Sequence, residues 1–196
     1  MNQEFRGSIN DPLFQYVNVS FLLPDFTGII KMFGKVGDSL RTYSLLKGKP
    51  VFEIKSGSKV GEVCDLAISD DGRVKGLLIK KGVIFKKTWI IYVEDVTSFG
   101  VDGVMIEDRE RLEPLNETFD NYTFETGQPL LGKALMTKEG QRLGLLEDVY
   151  FLEEVGTIVG YECSDGFFSD IIEGKRVVKT DKPPAIGKDA IIVDVK

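Results

Sequence analysis

Asp65 and Asp148 stand at the same point of two similar stretches, Gly61-Glu62-Val63-Cys64-Asp65 and Gly144-Leu145-Leu146-Glu147-Asp148. A carboxylate repeated in this way invites a reading as general base or metal ligand. Each aspartate, however, sits inside a strand-like alternation with no second acid placed to share a proton or a cation. Hydrogen bonding to a nearby turn is therefore its expected role. Asp70-Asp71 and Glu153-Glu154 flank turn signals and lack the spacing of a calcium loop, so they read as turn residues. The chain has no histidine, which removes histidine proton shuttles, Ser-His-Asp and Cys-His nucleophiles, and most zinc or haem ligation. Cys64 and Cys163 are not equivalent positions, form no metal motif and read as reduced, buried thiols. The glycines give neither a P-loop nor a dinucleotide fingerprint. No catalytic residue, no cofactor and no metal site is expected, and the chain is read as not an enzyme.

A second group of residues could act by binding. Lys80, Lys81, Lys86 and Lys87 bracket the apolar tip Val83-Ile84-Phe85, with Trp89 just beyond. The candidate interaction loop is thus Lys80, Lys81, Phe85, Lys86, Lys87 and Trp89. Four ammonium groups around an apolar tip could grip RNA phosphates, an acidic protein partner or a membrane surface. They could equally be a solvated loop whose lysines blunt a strand edge. The matching place downstream reads Ser164-Asp165-Gly166-Phe167-Phe168-Ser169-Asp170, so the two stretches do not share a ligand, and this acidic loop could meet a basic partner. The net charge of -6 is uneven: residues 125–196 hold 9 basic and 13 acidic side chains, while 45–108 hold 10 of each. Strong nucleic-acid or anionic-membrane binding by the whole chain is disfavoured, but a local basic patch is not.

These groups are carried by a sequence that says nearly the same thing twice. Leu46-Lys47-Gly48-Lys49-Pro50-Val51 returns as Leu130-Leu131-Gly132-Lys133-Ala134-Leu135. Gly72, Val74 and Gly76 return as Gly156, Ile158 and Gly160. What recurs is glycine at turns and alternating aliphatics, not reactive groups. Gly48, Gly72, Gly76, Gly132, Gly156 and Gly160 read as turn and close-packing positions. Gly61 and Gly144, in mid-strand, read as bulges or corners of a small barrel. In the first copy strands are expected over 50–54, 59–68, 74–79, 89–93, 96–99 and 104–106, with Asp70-Asp71-Gly72 as a hairpin turn. Six short strands at this spacing predict an all-β fold of two tandem small antiparallel barrels. The expected division is an N-terminal extension over 1–40, a first barrel over 41–108, a linker over 109–128 with a short helical turn admitted, and a second barrel over 129–196. Tyr122 and Phe124 of the linker should pack back onto a barrel. Two readings of residues 1–40 stay open: an added arm, or an upstream stretch foreign to a natural start near Leu40. With no signal-type segment and no apolar run of about 18 residues, a cytoplasmic protein without a membrane span is expected.

Gly48-Lys49-Pro50-Val51, the run from Gly57 through Val60-Gly61 to Asp65, Gly72-Arg73-Val74 with Gly76-Leu77, and Ile91-Tyr92-Val93-Glu94-Asp95-Val96 followed by Phe99-Gly100 and Asp102 resemble the PRC-barrel family. The resemblance covers 45–108 strongly and 129–195 more weakly. It implies PRC-type barrels, a fold shared with the cytoplasmic part of the reaction-centre H subunit and the C-terminal domain of a ribosome-maturation factor. Tandem members in spore-forming Gram-positive bacteria also belong there. No N-terminal membrane helix of the reaction-centre type and no separate RNA-proximal barrel of the maturation-factor type are present. The resemblance therefore implies a non-enzymatic binding or adaptor protein that makes protein–protein contacts, of unknown partner and oligomeric state. The alternative is a ribosome- or RNA-associated assembly factor that uses the basic hairpin.

Overall fold

The computed structural model describes residues 40–82, 87–116, 119, 121–164, 176–180 and 182–195. Expectations that fall on residues 1–39, on Phe85 and Lys86, or on the 165–170 loop lie outside these residues. The chain begins with strand β1 (Leu40–Thr42) and a single helical turn, α1 (Tyr43–Leu46). The Thr42 hydroxyl caps that turn by accepting from the Leu45 amide at 3.4 Å. Six strands then form the body of the first copy: β2 (Pro50–Glu53), β3 (Lys59–Ile68), β4 (Val74–Lys81), β5 (Lys87–Tyr92), β6 (Val96–Phe99) and β7 (Val104–Ile106). A 3-10 turn at Arg109–Arg111 opens the connector, which adds β8 (Glu113–Pro114) and β9 (Tyr122–Thr123). The second copy repeats the plan with β10 (Ala134–Thr137), β11 (Arg142–Leu152), β12 (Ile158–Ser164), β13 (Arg176–Lys179), β14 (Ala185–Ile186) and β15 (Ala190–Val193).

The protein is all-β, two tandem barrels built from two curled sheets. Strand order is β6-β7-β2-β3-β4-β5-β8 in one and β13-β12-β11-β10-β15-β14 in the other. Neighbours pair antiparallel except at one seam per copy, where β2 runs parallel to β7 and β10 parallel to β15. The final strand of each copy re-enters beside the first and in the same direction, which curls the sheet. β-Branched residues alternate along these strands, so one face of each, including Val63, Leu77, Ile79 and Ile91, or Val149, Tyr161 and Ile191, is fully or almost fully buried. One cluster runs through both copies without a break. This continuity is what two units near the lower size limit for an independent core require.

The two copies are joined by an exchange of strands. β1, which leads into the first copy, pairs antiparallel with β11 of the second, and Thr42 faces Tyr150. β9, which leads into the second copy, pairs with β3 of the first, and Thr123 faces Ala67. Tyr150 lies two residues after Asp148 and Ala67 two after Asp65, so the two exchanges are equivalent. The hairpin turns of the two copies also meet: the Val74 amide donates to the Gly156 carbonyl at 2.8 Å and the Ile158 amide to the Gly72 carbonyl at 3.3 Å. Gly156 has φ of 67°, and a β-carbon there would lie 2.1 Å from the Val74 carbonyl oxygen. Only glycine meets both demands.

Candidate functional site

The connector decides where a ligand could reach the sheet. On the outer face of β3, β4 and β5 the alternation presents Ala67, Leu78 and Ile90, a second, smaller apolar cluster. Leu115 and Phe119 of the connector lie on it, held by the Leu115 amide donating to the Thr88 carbonyl at 3.0 Å. Phe124 is completely buried and Tyr122 packs on the main core. The cover stops short of the strand ends. Past Leu78 the face stays open as a cleft of about 380 Å³, with Cys64, Lys80 and Thr88 on one side and Phe119, Thr123 and Gly127 on the other. Cys64, Lys80 and Thr126 also border a wider hollow of about 910 Å³ that runs on to Lys47, Lys59 and Glu62.

The polar groups around this cleft are specific. Lys47 pairs with Glu125 at 2.6 Å, and Lys59 with Glu62 at 2.6 Å. The Tyr43 hydroxyl donates to Glu125 at 2.5 Å and lies 3.1 Å from the Cys64 carbonyl. Lys47 and Tyr43 together hold the Glu125 carboxyl below its usual range. Burial, helped by Glu125, pushes the Tyr43 hydroxyl far up, so it remains a donor. Burial likewise raises the Cys64 thiol, against the pull of Lys80. The Thr123 hydroxyl is buried and has no hydrogen-bond partner among the described residues. Its equivalent, Thr42, caps α1 instead.

The structure brings part of the candidate loop to one strand end. Lys80 is exposed and faces Glu62 on one side and Thr88 on the other; Lys81 and Lys87 face each other directly across β4 and β5. The Lys81 ammonium lies 4.4 Å from the centre of the Trp89 ring, which is half-buried against the main core. None of Lys80, Lys81 and Lys87 is in an ion pair among the described residues. The second copy is different at the same places. Ser164 stands for Lys80, and the exposed Leu131 and Leu145 stand for Lys47 and Glu62.

Asp65 and Asp148 are far from being reactive. Asp65 accepts from the Glu125 and Thr126 amides at 2.9 and 2.7 Å and from the Thr126 hydroxyl at 2.6 Å. Asp148 accepts from the Tyr43 amide at 2.9 Å and the Ser44 amide at 3.2 Å. Each also takes the amide that follows it in sequence. Burial, helped by nearby Glu162, raises the Asp148 carboxyl, opposed by the Ser44 side chain and the Val149 and Ser44 amides. Among the glycines, Gly48, Gly72, Gly132 and Gly156 adopt left-handed turns. Gly61 and Gly144 lie beside bulges in the β2–β3 and β10–β11 pairings. Gly76 lets β5 approach, since a β-carbon would meet the Ile91 carbonyl at 2.4 Å, and Gly160 pairs with Tyr150 and Lys179. Among the described residues no group of three or more histidine, cysteine or acidic side chains is arranged to hold a metal, and no helix is long and apolar enough to cross a membrane. Sequence reasoning missed Cys64, Thr123 and Phe119 as neighbours, because they meet only through the path of the connector. The signal that was available is Phe119 itself, an aromatic residue in a polar stretch.

The comparisons agree with this geometry. The PRC-barrel domain profile matches residues 39–113 and again 123–196. Both matches start at the leader strands β1 and β9, so the exchanged strands belong to the recurring unit. An uncharacterised protein of Bacillus subtilis (strain 168), YrrD, is 32% identical over 162 residues, covering 81% of this chain and 90% of that protein. Two curled sheets with the same strand order, joined by equivalent leaders and matched twice by one profile, identify the chain as a member of the PRC-barrel domain family with two tandem copies.

Proposed function

We propose that this protein is a non-enzymatic adaptor that acts in the cytoplasm and docks an acidic protein partner on the lysine-bearing strand ends of its first barrel. The observation that carries the reading is the direct cross-strand opposition of Lys81 and Lys87 next to Lys80. Like charges placed opposite each other destabilise a strand pair, and no described carboxylate compensates for them. An acidic partner would. The second copy has Ser164-Asp165 in its sequence at the places of Lys80-Lys81, so a general need of the fold does not account for the lysines. The absence of histidine and the engagement of Asp65 and Asp148 by backbone amides support binding over catalysis. Cys64 and Cys163 form no disulfide among the described residues, as suits a reducing compartment.

Zero-length carboxyl-to-amine crosslinking in native cells tests this reading. The expected result is a protein whose aspartates or glutamates are joined to Lys80, Lys81, Lys86 or Lys87, absent when all four are changed to glutamine. Recovery of ribosomal RNA or ribosomal particles whose salt-dependent association disappears in the same variant would replace the adaptor with the assembly-factor alternative. A crosslinking pattern unchanged by the substitutions would overturn the adaptor reading.

A further inference from the structure

We infer that the cleft between Lys80 and the connector is the docking site itself, and that it takes an extended acidic segment of the partner carrying one apolar side chain. This deepens the adaptor reading and rests on it. The half-covered outer face supplies the apolar part: Leu78 and Phe119 line the cleft, continuous with the cluster that Leu115 closes. The Lys80 ammonium supplies a cation at its mouth, and the wider hollow adds Lys47 and Lys59. Both of these are already paired with a carboxylate, while Lys80 is in no ion pair among the described residues. A carboxylate one or two residues from an apolar side chain can therefore meet Lys80 while that side chain rests on Phe119. Few polar groups converging on an apolar floor in a volume of a few hundred Å³ are what a recognition pocket requires. Charge selects the occupant: an acidic segment complements Lys80, which shares the outer face with Leu78 and Thr88, and a basic or neutral one does not; Lys81 and Lys87 lie on the opposite face with Trp89.

A further feature favours a site over a packing defect. The Thr123 hydroxyl in the wall is buried without a partner among the described residues, whereas its equivalent Thr42 is engaged. Unsatisfied buried hydroxyls are uncommon, and one beside a cleft is a hydrogen-bonding group that bound water or a ligand can complete.

The whole chain and a fluorescein-labelled acidic peptide, Glu-Glu-Phe-Glu-Leu-Glu, test the proposal, with its all-glutamine counterpart as reference. Anisotropy reports binding anywhere on the protein; the rate at which N-ethylmaleimide modifies Cys64, followed by peptide mass, reports occupancy of the cleft. The acidic peptide should bind at low salt and slow Cys64 modification about fivefold or more when saturating, and the glutamine peptide should do neither. Lys80→Gln should weaken binding about tenfold, the loss of one charge-assisted contact. Phe119→Ala should weaken it about as much, and the unchanged melting temperature of Lys80→Gln, an exposed position, keeps the result interpretable. Peptide binding that leaves the Cys64 rate and the Phe119→Ala affinity unchanged would overturn the cleft while leaving the lysine surface standing. Absence of binding would overturn the cleft proposal, and the crosslinking experiment then decides the adaptor reading separately.

Discussion

Asp65 and Asp148 occupy equivalent positions, and each binds the backbone just after the strand that leads into the other's barrel: Asp65 the Glu125 and Thr126 amides, Asp148 the Tyr43 and Ser44 amides. The relation is reciprocal, so neither barrel is complete without the other's leader. A hydrogen bond to a charged acceptor contributes about 1.5–3 kcal/mol. Removing the carboxylate leaves buried amides unpaired as well. Asp65→Ala and Asp148→Ala should each lose about 3 kcal/mol of stability in urea unfolding, and the asparagine variants less, because one acceptor oxygen remains. A loss below about 0.5 kcal/mol, the range of ordinary surface changes, would show that the leaders are held by strand pairing alone.

The same reciprocity predicts that the halves do not stand alone. A fragment over 114–196 lacks β1, leaving the β11 edge unpaired and Asp148 buried among no donors from Tyr43 or Ser44. It should populate a folded monomer poorly, and mixing it with a fragment over 38–113 should restore native β-sheet content and a single 1:1 species. Chromatography with light scattering and circular dichroism measure this. A 114–196 fragment that is monomeric and cooperatively folded by itself would refute the interlock.

Backbone conformation and space can be separated at two glycines of the second copy. Gly140 has φ of 85° with open space around the added carbon; Gly156 has φ of 67°, but the added carbon would stand 2.1 Å from the Val74 carbonyl oxygen. Gly140→Ala should cost about 1–2 kcal/mol, the penalty of a left-handed residue with a side chain. Gly156→Ala should cost clearly more, since the Val74–Gly156 contact must also open. Equal melting temperatures for the two variants would mean that the hairpin turns do not seat against each other.

How far the sequence revealed these relations depends on the separation of the partners. Strands β3, β6 and β7 were read with their observed limits, because alternation and turn glycines are local signals. The positions of Gly61 and Gly144 were legible for the same reason. The partners of Asp65 and Asp148 were not: a turn nearby was expected, and the amides come from 60 and 105 residues away. The expected boundary at residue 40 cuts through β1, which pairs across the copies. Lys80, Lys81 and Lys87 were found as a charged group, yet Trp89, grouped with them, turns its ring to the core under Lys81. The cleft was invisible because the connector has no periodicity, and its cover over Leu78 is a consequence of the path the chain takes.

Glu53 gives the pH dependence a definite sign. It is buried at the end of β2, accepts from the Arg109 amide at 2.9 Å and from the Arg109 Nε at 3.0 Å, and is also bonded by the Ser56 hydroxyl. The Arg109 guanidinium holds its carboxyl down to about 2, from an ordinary value of 4.5. A lowered carboxyl contributes stability that is complete above the unfolded-state value of 4.5 and is lost as the pH falls toward about 2. Glu53→Gln removes the titrating group but keeps the shape. The melting-temperature gap between parent and variant should thus be widest above pH 4.5 and close between 4.5 and about 2. Asp194, held to about 2 by Lys182 and Lys138 at the other end of the chain, titrates in the same window; the comparison with Glu53→Gln therefore isolates the Glu53 share. A gap that stays constant across this range would mean that Arg109 and Glu53 are adjacent without being coupled.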